Sequence, residues 1–118
     1  ITKLCLNNAK QLRGKASMYL FDLSGKVAII TGSTKGIGKA IAREMSAHGA
    51  KVVITSRKSD ACDEVANSIC KDGGNAVPIP CNVSYKDQLE RLVAMTHKVY
   101  GQIDILVCNA AVNPPFWI

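Results

Sequence analysis

Residues 27–38 read VAIITGSTKGIG, and this stretch decides the fold of the chain. The run VAII is apolar and rich in β-branched residues, which is typical of a strand buried on both faces of a sheet. Thr31 and Gly32 close the strand. Apolar residues at helical spacing then follow the glycine-rich turn, namely Ile37, Ala40, Ile41 and Met45. The stretch therefore predicts a buried strand, a tight turn and an amphipathic helix whose first turn Ile37 anchors in the core.

The alternation of strand and helix continues along the chain. The segments KVVIT at 51–55, NAVPIPC at 75–81 and IDILVC at 103–108 predict three further strands. Short connections between alternating strands and helices predict right-handed crossovers and a parallel sheet covered on both faces. The predicted fold class is α/β, a Rossmann-type doubly wound parallel sheet represented by its N-terminal half, with strand order 3-2-1-4. Pro78 and Pro80 lack backbone N–H donors, so they favour an edge position for the third strand.

Two further helices are predicted between these strands. One begins near Ser59 or Asp60, and the other begins at a Ser84 cap with Asp87 three residues later, a variant of the capping box. The inner face of the first of these helices is predicted to comprise Cys62, Val65, Ala66 and Ile69. The inner face of the second is predicted to comprise Leu89, Leu92, Val93, Thr96 and Val99.

The two ends of the chain give expectations about domain boundaries. Residues 1–17 lack apolar periodicity, and we expect them to be a non-native or disordered extension that ends before Met18. Residues 18–118 are expected to form a Rossmann-type half-domain that is truncated at its C-terminus. The reason is that the apolar fourth strand would form an exposed sheet edge, which further strands cover in complete folds of this kind.

Charge, hydropathy and cysteine spacing exclude several classes of function. The net charge is +6, but four cations in residues 1–17 account for most of it, leaving +2 for residues 18–118 and no basic face for nucleic acid. The chain contains no apolar run of the roughly 20 residues needed to cross a bilayer, so no membrane partner is expected. The five cysteines form no C-x-x-C pair and have no histidine at ligand spacing, which predicts reduced thiols in a cytoplasmic protein with no metal site.

The glycine-rich turn can meet an anion, because glycines let a phosphate approach the unpaired N–H groups of a helix N-terminus. A P-loop is excluded, since Ser33 occupies the first glycine position and Ala40 replaces the magnesium-binding hydroxyl. The G-x-G-x-x-G fingerprint also fails, because Ile41 occupies the position of its third glycine. The pattern present is T-G-x-x-x-G-x-G. Its alternative interpretation is a tight strand-to-helix turn that binds no ligand.

The glycine pattern and the sequence NAA at 109–111, directly after the fourth strand, together resemble the short-chain dehydrogenase/reductase family over residues 22 to about 115. The resemblance implies that Asn109 ties the central strands together and that Ala110 and Ala111 pass close to the cofactor ribose. Ala111 departs from the family pattern, which commonly has glycine there. The resemblance also places Asn82, where the family usually has Asp, beside the adenine and Val83 against the ring. The cofactor-binding residues implied in the glycine turn are Gly32, Ser33, Thr34, Lys35, Gly36, Ile37 and Gly38.

The end of the second strand indicates which dinucleotide binds. An NAD enzyme places an acid there for the ribose 2′-hydroxyl, whereas this chain has Ser56, Arg57 and Lys58. A guanidinium can bind a 2′-phosphate bidentately, and Lys35 adds a cation from the glycine turn. These residues favour NADP(H) as the cofactor. The alternative is that they are solvated loop charges.

The family resemblance implies an oxidoreductase that transfers hydride to a carbonyl or from an alcohol, acting as a homo-tetramer or dimer when complete. Short segments at the strand ends further resemble a carbonyl-reductase branch of the family. The family's catalytic Tyr-x-x-x-Lys is absent, because Tyr19, Tyr85 and Tyr100 are followed four residues later by other types. No catalytic residue is therefore assigned in this chain. The competing hypothesis is a non-catalytic NADP(H)-binding module.

Overall fold

The computed structural model describes residues 20–109, which form one parallel sheet with helices on both faces. The strands are β1 (Val27–Thr31), β2 (Lys51–Thr55), β3 (Asn75–Pro78) and β4 (Ile105–Val107). The helices are α1 (Gly36–Ala47), α2 (Ser59–Lys71) and α3 (Lys86–Tyr100). The strand order is β3-β2-β1-β4, and all three pairings are parallel. The predicted α/β Rossmann-type fold and its order 3-2-1-4 are confirmed.

The apolar core lies in two layers, one on each face of the sheet. Side chains alternate along the strands, so that Ile30 and Ile54 face the α1 and α2 layer while Ile29 and Val53 face the α3 layer. The central strands are buried on both sides, which explains their continuous runs of β-branched residues. The predicted inner face of α2 is confirmed, since Cys62, Val65, Ala66 and Ile69 are all buried.

The prolines of the third strand lie where the edge prediction places them. β3 is an edge strand that ends at Pro78, three residues earlier than predicted. Beyond it, Ile79 donates its N–H to the Ile54 carbonyl of β2 at 2.9 Å, and Cys81 donates to the Ser56 carbonyl just after β2 at 2.8 Å. Side chains and N–H groups alternate along an extended strand, so Pro78 and Pro80 occupy the positions whose nitrogens point away from β2. The lack of N–H groups at these two prolines therefore removes no hydrogen bond to β2.

The inner face of α1 differs from the prediction. Its buried residues are Gly38, Ala42 and Ser46, whereas Ile37 is 74% exposed and does not anchor the helix in the core. A row of small residues four apart lets the helix axis approach the sheet closely. Ile41 and Met45 pack against the core from the side. Close packing of the helix, rather than side-chain hydropathy, therefore decides which face is buried.

The start and inner face of α3 also differ from the prediction. The N-cap residue is Tyr85, with no side-chain cap, so Ser84 does not cap the helix. Leu92 and Thr96 are buried as expected. The other three predicted inner residues stay partly exposed, at 36% for Leu89, 46% for Val93 and 43% for Val99. Only one row of the predicted stripe reaches the sheet.

Candidate functional site

The predicted site residues that the structure describes gather at one edge of the sheet. They lie in residues 32–38 after β1, 56–58 after β2, 82–83 after β3 and at Asn109 after β4. The carboxyl ends of parallel strands meet at the same edge, which is where open α/β sheets bind ligands. Ala110 and Ala111 fall outside the described residues.

The glycine turn leaves the N-terminus of α1 open. Gly36, the first helical residue, has φ +55°, and a Cβ built on it would meet nothing within 4 Å. Lys35 precedes it in an extended conformation and is exposed. In α1, which is described throughout, no side chain caps the N-terminus and no acidic residue lies in the first turn. The positive end of the helix dipole can therefore meet an anion from solvent.

Gly38 packs against the end of β1, as predicted for close contact of helix and strand. A Cβ at this position would clash with the Gly32 carbonyl oxygen and would lie 2.5 Å from Asn109 Nδ2. The first of these atoms belongs to the backbone, which cannot give way cheaply. Any side chain at position 38 would push α1 away from the turn that it completes.

The Ser33 side chain makes a contact within the fold that was not predicted from the sequence. This side chain is fully buried, the Ser33 backbone N–H donates to the Thr55 carbonyl at 3.1 Å, and Ser33 Oγ accepts the Thr55 N–H at 2.9 Å. The hydroxyl also lies 3.4 Å from the Thr55 carbonyl, as a donor. Ser33 therefore joins the glycine turn to the end of β2, and its hydroxyl is enclosed at this contact.

Asn109 joins the glycine turn to β4. Its Nδ2 donates to the Gly32 carbonyl at 3.3 Å, and its backbone N–H donates to Thr31 Oγ1 at 2.8 Å. Thr31 Oγ1 in turn donates to the Val107 carbonyl at 3.2 Å. Asn109 thus has the strand-linking position that the resemblance implied. Sequence reasoning missed the part of Thr31, although the first letter of the T-G-x-x-x-G-x-G pattern already marked it.

The loop after β2 carries two exposed cations. Ser56 Oγ accepts the Lys58 N–H at 3.2 Å and so shapes the turn that presents Arg57 and Lys58 to solvent. The nearest acid along the chain, Asp60, lies in the first turn of α2. Among residues 20–109 the only ion pairs are Arg43–Asp72 and His48–Glu44. The cations at positions 35, 57 and 58 therefore pair with no described acid.

The loop after β3 is built around Asn82. Its Oδ1 accepts the Ser84 N–H at 3.0 Å, and its backbone N–H donates to Gln88 Oε1 at 2.7 Å. This turn, rather than a Ser84 cap, leads the chain into α3. One lone pair of Oδ1 is therefore engaged within the loop, and a ligand would have to use the other. Val83 is half-buried beside it.

The cysteines contribute no metal site among the described residues. Cys62 and Cys81 are buried free thiols and Cys108 is an exposed one. Burial is the main cause that raises the pKa of Cys81. No helix within residues 20–109 is long and apolar enough to cross a membrane.

The sequence is similar to reductases from animals and plants. It is 47% identical over 94 residues to human "Dehydrogenase/reductase SDR family member 4", covering 80% of this chain and 34% of that protein. It is 47% identical over 92 residues to "Short-chain dehydrogenase/reductase SDRA" of Arabidopsis thaliana, covering 78% of this chain and 36% of that protein. The chain thus spans about a third of the length of these curated relatives.

Solved structures match the fold. A short-chain type dehydrogenase/reductase from Mycobacterium marinum superposes with a TM-score of 0.75 at 46% identity, over 79% of this chain and 38% of that one. A metagenomic short-chain oxidoreductase in complex with NADP superposes with a TM-score of 0.72 at 39% identity, over 76% of this chain and 41% of that one.

The family model for short chain dehydrogenases matches residues 26–116, which include every element of the described sheet. The match also contains the glycine turn and the asparagine after β4, the two motifs on which the resemblance rests. The chain belongs to the short chain dehydrogenase family.

Proposed function

We propose that this chain binds NADP(H) across the carboxyl edge of its sheet and is the nucleotide-binding part of an oxidoreductase that interconverts carbonyls and alcohols. The proposed ligand contacts come from the glycine turn, the loop after β2, the loop after β3 and the residues after β4. Ser33 is excepted from direct side-chain contact, because its hydroxyl is buried against β2.

One observation carries the choice of NADP(H). The loop after β2 presents Arg57 and Lys58 where an acid would select NAD, and Lys35 stands exposed in the neighbouring turn. A 2′-phosphate would meet cations that no described acid neutralises. A planar guanidinium suits this group because it can donate two parallel hydrogen bonds.

The residues present fit a dinucleotide. The pyrophosphate would lie at the uncapped N-terminus of α1, where the open space over Gly36 allows close approach to the backbone. Asn82 and Val83 would flank the adenine, and Asn109 with the alanines after it would border the ribose next to the nicotinamide. The bound nicotinamide would supply or accept the hydride.

Hydride transfer is proposed for the protein as a whole and not for these residues alone. In this chain none of the tyrosines has a lysine four residues later, so no proton donor of the family's type is assigned here. A small carbonyl or alcohol substrate and a homo-oligomeric state are proposed on the same basis, from the names and family of relatives that the chain covers to about a third.

The proposal is tested by measuring NADPH and NADH dissociation constants for the 118-residue chain and its Arg57→Asp variant. The unmodified chain is expected to prefer NADPH. The variant should lose at least about ten-fold in NADPH affinity, because a hydrogen bond to a charged group contributes about 1.5–3 kcal/mol and 1.4 kcal/mol is ten-fold. Its NADH affinity should not fall.

The matched control is Lys98→Asp, which makes the same change of charge at an exposed position in the last turn of α3. This variant should keep the preference for NADPH. Helix α3 begins at the loop after β3 and runs towards the amino ends of the strands, so Lys98 lies far from the carboxyl ends where the ligand is proposed to bind. Equal affinity of the unmodified chain for the two dinucleotides, or an unchanged preference in Arg57→Asp, would refute the proposal.

A further inference from the structure

Ser33 links the glycine turn, which carries one of the proposed cations, to the end of β2, which leads into the loop that carries the other two. Its backbone N–H and its hydroxyl both bond to the backbone of Thr55, the last residue of β2, at 3.1 and 2.9 Å. Lys35 lies two residues after Ser33, and Arg57 lies two residues after Thr55. The path from one cation to the other therefore runs through this contact and only two residues on each side of it.

The contact is enclosed and extends the pairing of β1 with β2. Thr31 and Thr55 are the last residues in register, and Ser33 continues the pairing inside the glycine turn, where the chain has already left the strand. Ser33 is 0% exposed and Thr55 is 1% exposed. Water therefore does not compete for these hydrogen bonds, and the side chain can hold the turn in a defined position.

The other side-chain contacts of the two loops do not set the distance between them. The glycine turn is joined to β4 through Asn109 and Gly32, on its other side. The β2 loop is shaped internally by Ser56, whose Oγ accepts the Lys58 N–H. Neither contact spans from the glycine turn to the β2 loop. The Ser33 hydroxyl and backbone N–H join the glycine turn to Thr55, the residue directly before the β2 loop.

We infer that Ser33 is a positioning residue that sets the preference for NADP(H) over NAD(H), by holding the loop of Lys35 at a defined distance from the loop of Arg57. It touches no ligand. The affinity for a 2′-phosphate bound between two cations depends on the spacing of those cations. The affinity for a dinucleotide that lacks this phosphate does not. Loss of the hydroxyl should therefore weaken NADPH binding more than NADH binding. The inference rests on the proposed function.

The test is Ser33→Ala in the 118-residue chain, with NADPH and NADH dissociation constants measured on the same preparation. The ratio of the two constants cancels any loss of folded protein. We expect the preference for NADPH to fall by about five-fold, the effect of losing one ordinary hydrogen bond. Ser46→Ala is the matched control. Ser46 is a buried serine like Ser33, but it lies near the C-terminal end of α1, so its replacement should leave the ratio unchanged.

Ser33→Cys provides a second variant should the alanine form fail to fold. The thiol is of similar size and is a weaker acceptor, so a smaller fall in the same ratio is expected. An unchanged ratio in a folded Ser33 variant overturns the inference. Failure of the proposed function is distinguishable, because it would show in the unmodified chain or in Arg57→Asp, whereas failure of the inference alone leaves both of those results as expected.

Discussion

At Gly38, helix α1 packs closely against the glycine turn and against Asn109, which follows β4. The position of Gly38 is decided by atoms distant in the sequence: the Gly32 carbonyl and the Asn109 amide occupy the volume that any side chain would need. In an unconstrained helix a change from glycine to alanine is stabilising by about 1 kcal/mol. At position 38 the same change is expected to be destabilising.

Gly38→Ala is predicted to lower the free energy of unfolding by about 1–3 kcal/mol, because the added methyl group meets backbone that cannot move aside. Urea denaturation followed by circular dichroism measures this. Ala40→Gly, at an exposed position of the same helix, isolates the effect of helix propensity. A Gly38→Ala variant as stable as the unmodified chain would contradict the close packing described here.

At the scale of elements, one carboxylate adds side-chain hydrogen bonds to the backbone pairing at the beginnings of β1 and β4. Asp104 Oδ2 accepts the Val27 N–H at 2.9 Å and the Gln102 amide at 2.6 Å, while the Asp104 N–H donates to the Val27 carbonyl at 2.9 Å. The hydrogen bond from Val27 is the main cause that lowers the pKa of Asp104 below its ordinary value of 3.8.

This carboxylate predicts an acid-sensitive contribution to stability. A group whose folded-state pKa is depressed stabilises the fold at pH values above its unfolded pKa, and the contribution is lost as the pH falls through the folded pKa. Asp104→Asn is therefore expected to be less stable than the unmodified chain at pH 7, with the difference shrinking below about pH 4. Urea midpoints at pH 7 and pH 3 measure it.

The control for this prediction is Asp63→Asn, on the exposed side of α2. It removes one negative charge without touching the junction of β1 and β4. If Asp104→Asn and Asp63→Asn changed the urea midpoint equally at both pH values, the junction would have no special dependence on the charge of Asp104.

At the scale of the whole molecule, the two edges of the described sheet differ. Pro78 in β3 and Pro80 just after it lie at positions whose nitrogens point away from β2, so this edge offers no N–H donor there to another strand. β4 has no such protection among residues 105–107, and Leu106 at its middle is 60% exposed. An apolar edge strand of this kind favours association with other chains.

Leu106→Lys is therefore predicted to reduce concentration-dependent association of this chain while changing the free energy of unfolding by less than about 0.5 kcal/mol. Sedimentation velocity over a range of concentrations measures the first effect, and urea denaturation the second. Ile105→Lys is the informative comparison, because Ile105 packs against the core on the opposite face and its replacement should unfold the chain. If the unmodified chain and Leu106→Lys associated equally, association would not occur through the edge of β4.

The sequence alone determined the number and type of the elements, their order in the sheet and the edge to which the proposed site residues belong. Runs such as VAII and KVVIT, the prolines after Asn75 and the pattern T-G-x-x-x-G-x-G are local signals, and the rules for parallel crossovers convert them into one topology. Cations at positions 35, 57 and 58 could be identified in the same way, because residues directly after parallel strands share an edge.

Only the tertiary structure decided which residues meet across that edge. Helical periodicity defines an apolar stripe but not how closely a helix approaches the sheet, so Ile37 was expected to be buried where Gly38, Ala42 and Ser46 are. The bonds of Ser33 to Thr55 and of Asn109 to Thr31 join residues 22 and 78 positions apart. The periodicity of a single strand or helix does not specify which atoms bond in such pairs. They form because the folded sheet brings two strand ends together and buried polar groups must then find partners.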